Sequence, residues 1–176
     1  IKDALPDLVS KLKTQHNKLY WLKIASGMMT TDTRPKVAYE EIIVGDELIR
    51  ICGVAKGSGM IAPNLATMLS FIFTDAEIPS NLLKILLKKA VANTFNAITV
   101  DSDQSTNDMV SIFSTRKIKI GHNRGISDPV IQKFETAFER STGKIQGALV
   151  DVLSIIANKK QLNLVLAKSQ VILVGK

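Results

Sequence analysis

Two apolar runs, VAYEEIIV (37–44) and ELIRICGVA (47–55), flank the dipeptide Gly45-Asp46. Strand-like runs on either side of a two-residue break containing glycine predict an antiparallel hairpin. A lone hairpin is barely stable in water, so this one must be covered by further strands or by helices. The rest of the sequence offers both. TMLSFIF (67–73) reads as a strand apolar on both faces, and KIASGMMTT (23–31) as a short buried strand. AITV (97–100) and MVSIFST (109–115) read as strands around the polar run DSDQSTND, and LNLVLA (162–167) and VILV (171–174) as final strands.

The helical signals are of two kinds. Leu5, Leu8, Val9 and Leu12 recur at helical spacing over 5–14, and from Ser80 onward Leu82, Leu83, Ile85, Leu86, Ala90 and Val91 form a broad apolar face. Ser127-Asp128-Pro129 is a start signal instead, with a capping side chain and a proline in the first turn, and predicts a helix to about Arg140. Residues 145–157 fit either helix or strand. Strands and helices mixed with short connections imply an α/β or α+β domain.

Size and composition narrow the function classes. The 176 residues suit one domain, or one part of a larger domain. The chain starts at Ile1 rather than Met, so we expect it to be less than the whole translation product. Its opening, IKDALPDLVSKLK, lacks the apolar core of a secretory signal, and no apolar run approaches the roughly 20 residues of a membrane span. The single cysteine, Cys52, rules out an internal disulfide and fits a reducing compartment; its apolar setting reads as core. The net charge of +7 invites a nucleic-acid reading, but the lysines are scattered and aromatics are only 5% of the chain. Stacking platforms for bases are therefore not expected, and the charge reads as a basic surface able to attract carboxylate substrates.

The densest run of unusual residues is KGSGMIAPNLATML (56–69). Its glycines allow positive φ and close backbone approach, and Pro63-Asn64 favours a turn before Thr67. It is neither a phosphate loop, which needs glycine-lysine-serine/threonine, nor a hydrolase nucleophile elbow, which needs glycine-x-serine-x-glycine. Spacing alone favours a structural glycine turn leading into a strand. His16 and His122 lie in polar stretches and read as surface histidines.

This run resembles the signature of the glutamate N-acetyltransferase (ornithine acetyltransferase) family. Two other blocks resemble the same family in the same order: Met29-Thr30-Thr31-Asp32-Thr33 with Pro35-Lys36, and Phe95-Asn96-Ala97-Ile98-Thr99-Val100-Asp101 running on to Ser105-Thr106-Asn107-Asp108. The resemblance covers roughly residues 26–140. It implies a sandwich of two sheets between helical layers, of the N-terminal-nucleophile kind, here incomplete. Residues 1–66 would close an α-chain-like segment and 67–176 open a β-chain-like segment of a single partial domain.

The implied chemistry starts with self-cleavage between Ala66 and Thr67. The Thr67 hydroxyl attacks the Ala66 carbonyl, an N→O shift gives an ester, and water releases two chains. Thr67 then holds a hydroxyl beside a free α-amine, whose ordinary pKa of about 7.7–8.0 leaves a neutral fraction to act as base. It would take acetyl from N-acetylornithine, releasing ornithine, and pass it to glutamate; whether acetyl-CoA also serves as donor is left open by the resemblance. By the same resemblance Thr33 and Lys56 contact substrate, a lysine ammonium being a fit partner for a carboxylate. Gly57, Ser58, Gly59, Asn107 and Asp108 support the site. No cofactor is implied. Asp101, Asp103, Asn107 and Asp108 could form a carboxylate-rich metal site, but they read as turn and cap groups. The implied partners are α- and β-type chains of a heterotetramer, with neither nucleic acid nor membrane, in the cytoplasm or the matrix of a mitochondrion.

The sequence also departs from the family. The threonine-glycine pair that forms the family's oxyanion hole has no match, nor has the later arginine-aspartate-glycine-glutamate-glycine run, where Lys144 would reverse the charge of a substrate-binding glutamate. Ser102 and Gln104 replace a glycine and a threonine. We therefore expect a chain incomplete at both ends, prone to aggregate through uncovered edges. The alternatives are a non-catalytic remnant of the family or a related self-processing aminopeptidase.

Overall fold

The structure is a computed structural model and describes residues 2–11, 17–30, 32, 34–57, 68–97, 108–120 and 124–156. Its helices and strands, in chain order, are α1 (Leu5–Ser10), α2 (Lys18–Met28), β1 (Lys36–Val44), β2 (Glu47–Lys56), β3 (Leu69–Ala76), α3 (Ser80–Asn93), β4 (Met109–Ile118) and α4 (Pro129–Ile156). The four strands form one mixed sheet in the order β1-β2-β3-β4. The hairpin is as expected: β1 and β2 run antiparallel, closing on Val44 opposite Glu47 around Gly45-Asp46. β3 is antiparallel to β2 and parallel to β4. A parallel pair needs a crossover, and α3 lies in the chain between β3 and β4. The mixed α/β class holds, while a second sheet is not found among the described residues.

Strand alternation divides the sheet cleanly. Ala38, Gly53, Ile72 and Ile112 lie side by side in one cross-strand row; Tyr39, Cys52, Phe73 and Phe113 lie in the next, on the opposite face. The first face carries the core. There α4 packs on β1 and β2, and α3 packs on α4 and β4. Phe134, Phe138, Ile145 and Leu149 are buried along one side of α4, alongside Leu82, Leu83, Leu86 and Ala90 of α3. Each fully buried large side chain contributes about 1.5–3 kcal/mol. Gly53 permits the close approach of α4, because a Cβ there would come within 2.3 Å of Ile145 Cδ1.

On the second face α2 covers β1 and β2. Trp21 meets Phe73 at 5.2 Å between ring centroids, and Phe73 meets Phe113 at 5.3 Å. Lys18 Nζ sits 4.3 Å from the centroid of the Tyr39 ring. Beneath α2, Cys52 is buried and its thiol is pushed up to about 12 by burial, which keeps it an unreactive core group.

Two expectations about elements need correction. The run 23–31 is not a strand: Lys23 to Met28 belong to α2, opened by Asn17, whose side-chain Oδ1 accepts from the Leu19 amide at 2.8 Å. The run looks strand-like because it is short and apolar, but Trp21 and Ala25, one helical turn apart, are what face the sheet. The last helix does not stop near Arg140 but continues to Ile156, so helix is the outcome for 145–156. Its start is as expected, with Asp128 Oδ1 accepting from the Val130 amide at 2.8 Å. Two smaller departures are the shorter α1 and the exposure of Ile85 on α3. AITV and both final strand runs fall largely or wholly outside the described residues.

Candidate functional site

Register brings three separate stretches of sequence to one end of the sheet. Lys36 at the start of β1 pairs with Ala55 near the end of β2. Lys56 at the end of β2 pairs with Leu69 at the start of β3, and Leu69 pairs with Met109 at the start of β4. The blocks around 29–36, 56–69 and 95–108 therefore all meet the sheet at this end. Thr67, Ala66, Ser58, Gly59, Thr33 and Asn107 lie outside the described residues; Lys56, Gly57 and Asp108 are within them, as is Met68, the residue after Thr67.

The junction is held by side-chain oxygens as well as by the ladder. Asp108 Oδ1 accepts from the Met68 amide at 2.9 Å, and the Met68 carbonyl accepts from the Met109 amide at 3.0 Å. Met68 is thus fixed through both of its backbone polar groups. Gly57 lies against it: a Cβ on Gly57 would meet Met68 Cα at 3.3 Å. Gly57 also has φ of +141°, a conformation that only glycine adopts readily. Gly57 and Met68 bracket the interval 58–67, so that interval leaves and rejoins the sheet at one point. Lys56 is half-buried at the last position of β2.

A second set of bonds converges on Asp32, whose side chain is fully buried. Its Oδ1 accepts from Lys36 Nζ and from the Gly57 amide, the latter at 2.8 Å. Its Oδ2 accepts from the Thr30 amide at 3.3 Å. Lys36 is only 1% exposed. Burial works to raise the Asp32 pKa. The hydrogen bonds from Lys36 and Gly57, the Lys36 charge and the Thr30 amide outweigh it and hold the carboxyl below its ordinary 3.8. A carboxylate that accepts three hydrogen bonds from described residues, one of them from a buried lysine, acts as an anchor.

Asp32 and Lys36 belong to the first motif block, yet sequence reasoning had assigned neither a role. The available signal was an aspartate and a lysine four residues apart, directly before an apolar strand. Lys144, flagged for its charge, lies on α4, where its Nζ donates to Glu40 on β1; Arg140 Nε lies 3.5 Å from the other Glu40 oxygen. It ties helix to sheet. A groove of about 490 Å³ opens between α3 and β4, lined by Pro79, Ser80, Leu83, Ile112 and Phe113 among others, and holds none of the expected site residues. Among the described residues no group of three or more His, Cys, Asp or Glu could hold a metal ion, and no helix is long and apolar enough to cross a membrane.

Comparison with known proteins agrees with the family that the motif blocks resemble. A family model described as ArgJ family matches residues 1–159. The chain is 44% identical over 149 residues to the arginine biosynthesis bifunctional protein ArgJ of Mesorhizobium japonicum, covering 85% of this chain and 33% of that one. It is 53% identical over 96 residues to the protein of the same name from Brucella suis, covering 54% and 23%, and 45% identical over 140 residues to that of Nitrobacter winogradskyi, covering 78% and 32%. The chain spans at most a third of the length of these curated relatives.

Proposed function

The chain belongs to the ArgJ family, and from that premise we propose that it carries the nucleophile-bearing core of an acetyltransferase of arginine biosynthesis. Thr67 is the nucleophile, released by self-cleavage after Ala66. Its freed α-amine draws the proton from its own hydroxyl, the hydroxyl takes acetyl from N-acetylornithine while the amide breaks and ornithine leaves with that proton on its amine, and the glutamate amine then attacks the acetyl-threonine ester, forming N-acetylglutamate and restoring the hydroxyl. Lys56 and Thr33 orient the substrate, with the Lys56 ammonium set against a carboxylate. One pocket serves both amines in turn because the ester stores the acetyl group between them. In the full-length assembly the sheet would form half of a two-sheet sandwich, with α- and β-type chains joined in a heterotetramer.

The observation that carries this reading is the convergence of the three motif blocks on one sheet end. Gly57 and Met68 close the base of the interval that ends in Thr67, and Asp108 of the third block grips the Met68 amide. A remnant without turnover is the second reading. It draws on the engagement of Lys144 with Glu40, which leaves that lysine tied to the sheet.

Intact mass of the purified chain beside its Thr67→Ala variant separates the two. Two fragments divided between Ala66 and Thr67, absent from the variant, are expected for a live nucleophile. One uncut chain in both would favour the remnant.

A further inference from the structure

We infer that Asp32 is a positioning residue: its buried carboxylate fixes the Gly57 amide and so sets the direction in which the chain leaves β2 toward Thr67. The link to Thr67 rests on the function proposed above; the fixing of Gly57 does not.

The ladder shows why a clamp is needed at this point. The last β1–β2 partner pair is Lys36 with Ala55, so Gly57 lies beyond the reach of β1 backbone. Its amide is instead bound by Asp32 Oδ1 at 2.8 Å, across 25 residues of sequence. Gly57 is buried, and a buried amide without an acceptor is strongly disfavoured. The same carboxylate also takes the Thr30 amide, so one side chain ties the first motif block to the second. At φ of +141° and with Met68 Cα against it, Gly57 has little room to shift if that bond is lost.

Stability alone is a poor account of the pair. A buried ion pair gains little over well-packed apolar residues of similar volume, because both charges lose their hydration. Lys36 balances the charge of Asp32, while the geometric effect lies in the acceptor that Asp32 presents. Charge and acceptor can be separated by substitution. Asp32→Asn with Lys36→Met removes both charges and keeps a side-chain oxygen near Gly57. Asp32→Ala with Lys36→Met removes both charges and the acceptor together, and neither double variant leaves a buried ion unpaired.

The test compares these two double variants with the native chain by amide hydrogen exchange, thermal melting and the rate of cleavage at Ala66–Thr67. Loss of one buried acceptor corresponds to about tenfold in the local opening equilibrium. Protection of Gly57 is expected to fall by about that factor or more in the Ala/Met variant and to recover in the Asn/Met variant, with Ile51 and Val54 unchanged in both. Cleavage is expected to slow in the Ala/Met variant and to recover in the Asn/Met variant, independently of melting temperature. Equal Gly57 protection in the two variants, or cleavage that simply follows melting temperature, would overturn the assignment. An uncut native chain would count against Thr67 as nucleophile and leave the exchange comparison to decide the role of Asp32.

Discussion

The core beneath α4 and the polar end of the sheet are stabilised in opposite ways. Beneath α4, Phe134, Phe138 and Ile145 fill apolar volume against Ala38, Ile51 and Gly53, with the Lys144–Glu40 pair at the edge of that packing. At the sheet end, position is set bond by bond: Asp32 to Gly57, Asp32 to Lys36, Asp108 to Met68. Apolar packing is summed over many weak, non-directional contacts, whereas a hydrogen bond is directional and fails when one partner is removed. The molecule thus places its bulk stability away from the candidate site and its geometric precision beside it.

Substitutions should separate the two regions. Phe138→Ala removes a fully buried ring from the core and is expected to lower stability by about 3–5 kcal/mol in urea unfolding. The Gly57 amide should then lose protection only as far as the whole protein does. A large, selective loss at Gly57 would mean that the two regions are one unit. Gly57→Ala should act in the reverse sense. It forces a side chain into a glycine conformation and against Met68 Cα, and is expected to cost about 1–3 kcal/mol, with exchange changes concentrated at the ends of β2, β3 and β4. Changes spread evenly over α4 would erase the distinction.

Acid should give the smallest and most local effect. The Asp32 pKa is lowered in the folded protein, so its contribution is complete above the unfolded value of about 3.9 and is lost as pH falls through the lowered folded value. Gly57 exchange, compared with that of core amides after correction for intrinsic rate, should open first below about pH 4. Asp128 is lowered too, through the Val130 amide and Arg124, so fraying at the start of α4 belongs to the same pH range and serves as an internal reference. Unchanged Gly57 protection at a pH that frays α4 would show that the clamp does not depend on the Asp32 charge.

Much of this was legible in the sequence wherever the signal was local. The β1–β2 hairpin followed from two apolar runs about Gly45-Asp46, α3 from its apolar spacing, and the start of α4 from Asp128 and Pro129, because each depends on residues within a few positions of one another. Three ordered motif blocks were enough to point to the family. Tertiary contacts decided the rest. A short apolar run satisfies helix and strand equally until a surface meets it; the sheet lies beneath Trp21 and Ala25 of α2, and α4, packed on β1 and β2, buries Ile145 and Leu149 beyond Arg140. Nor could the sequence state that β3 and β4 pair in parallel. That pairing, with the antiparallel pairs beside it, carries Asp32, Gly57, Met68 and Asp108 to one end of the sheet. The spacing of Asp32 and Lys36 is visible in the sequence but their burial is not, since the groups that make burial tolerable are brought together only when distant backbone arrives to donate its hydrogen bonds.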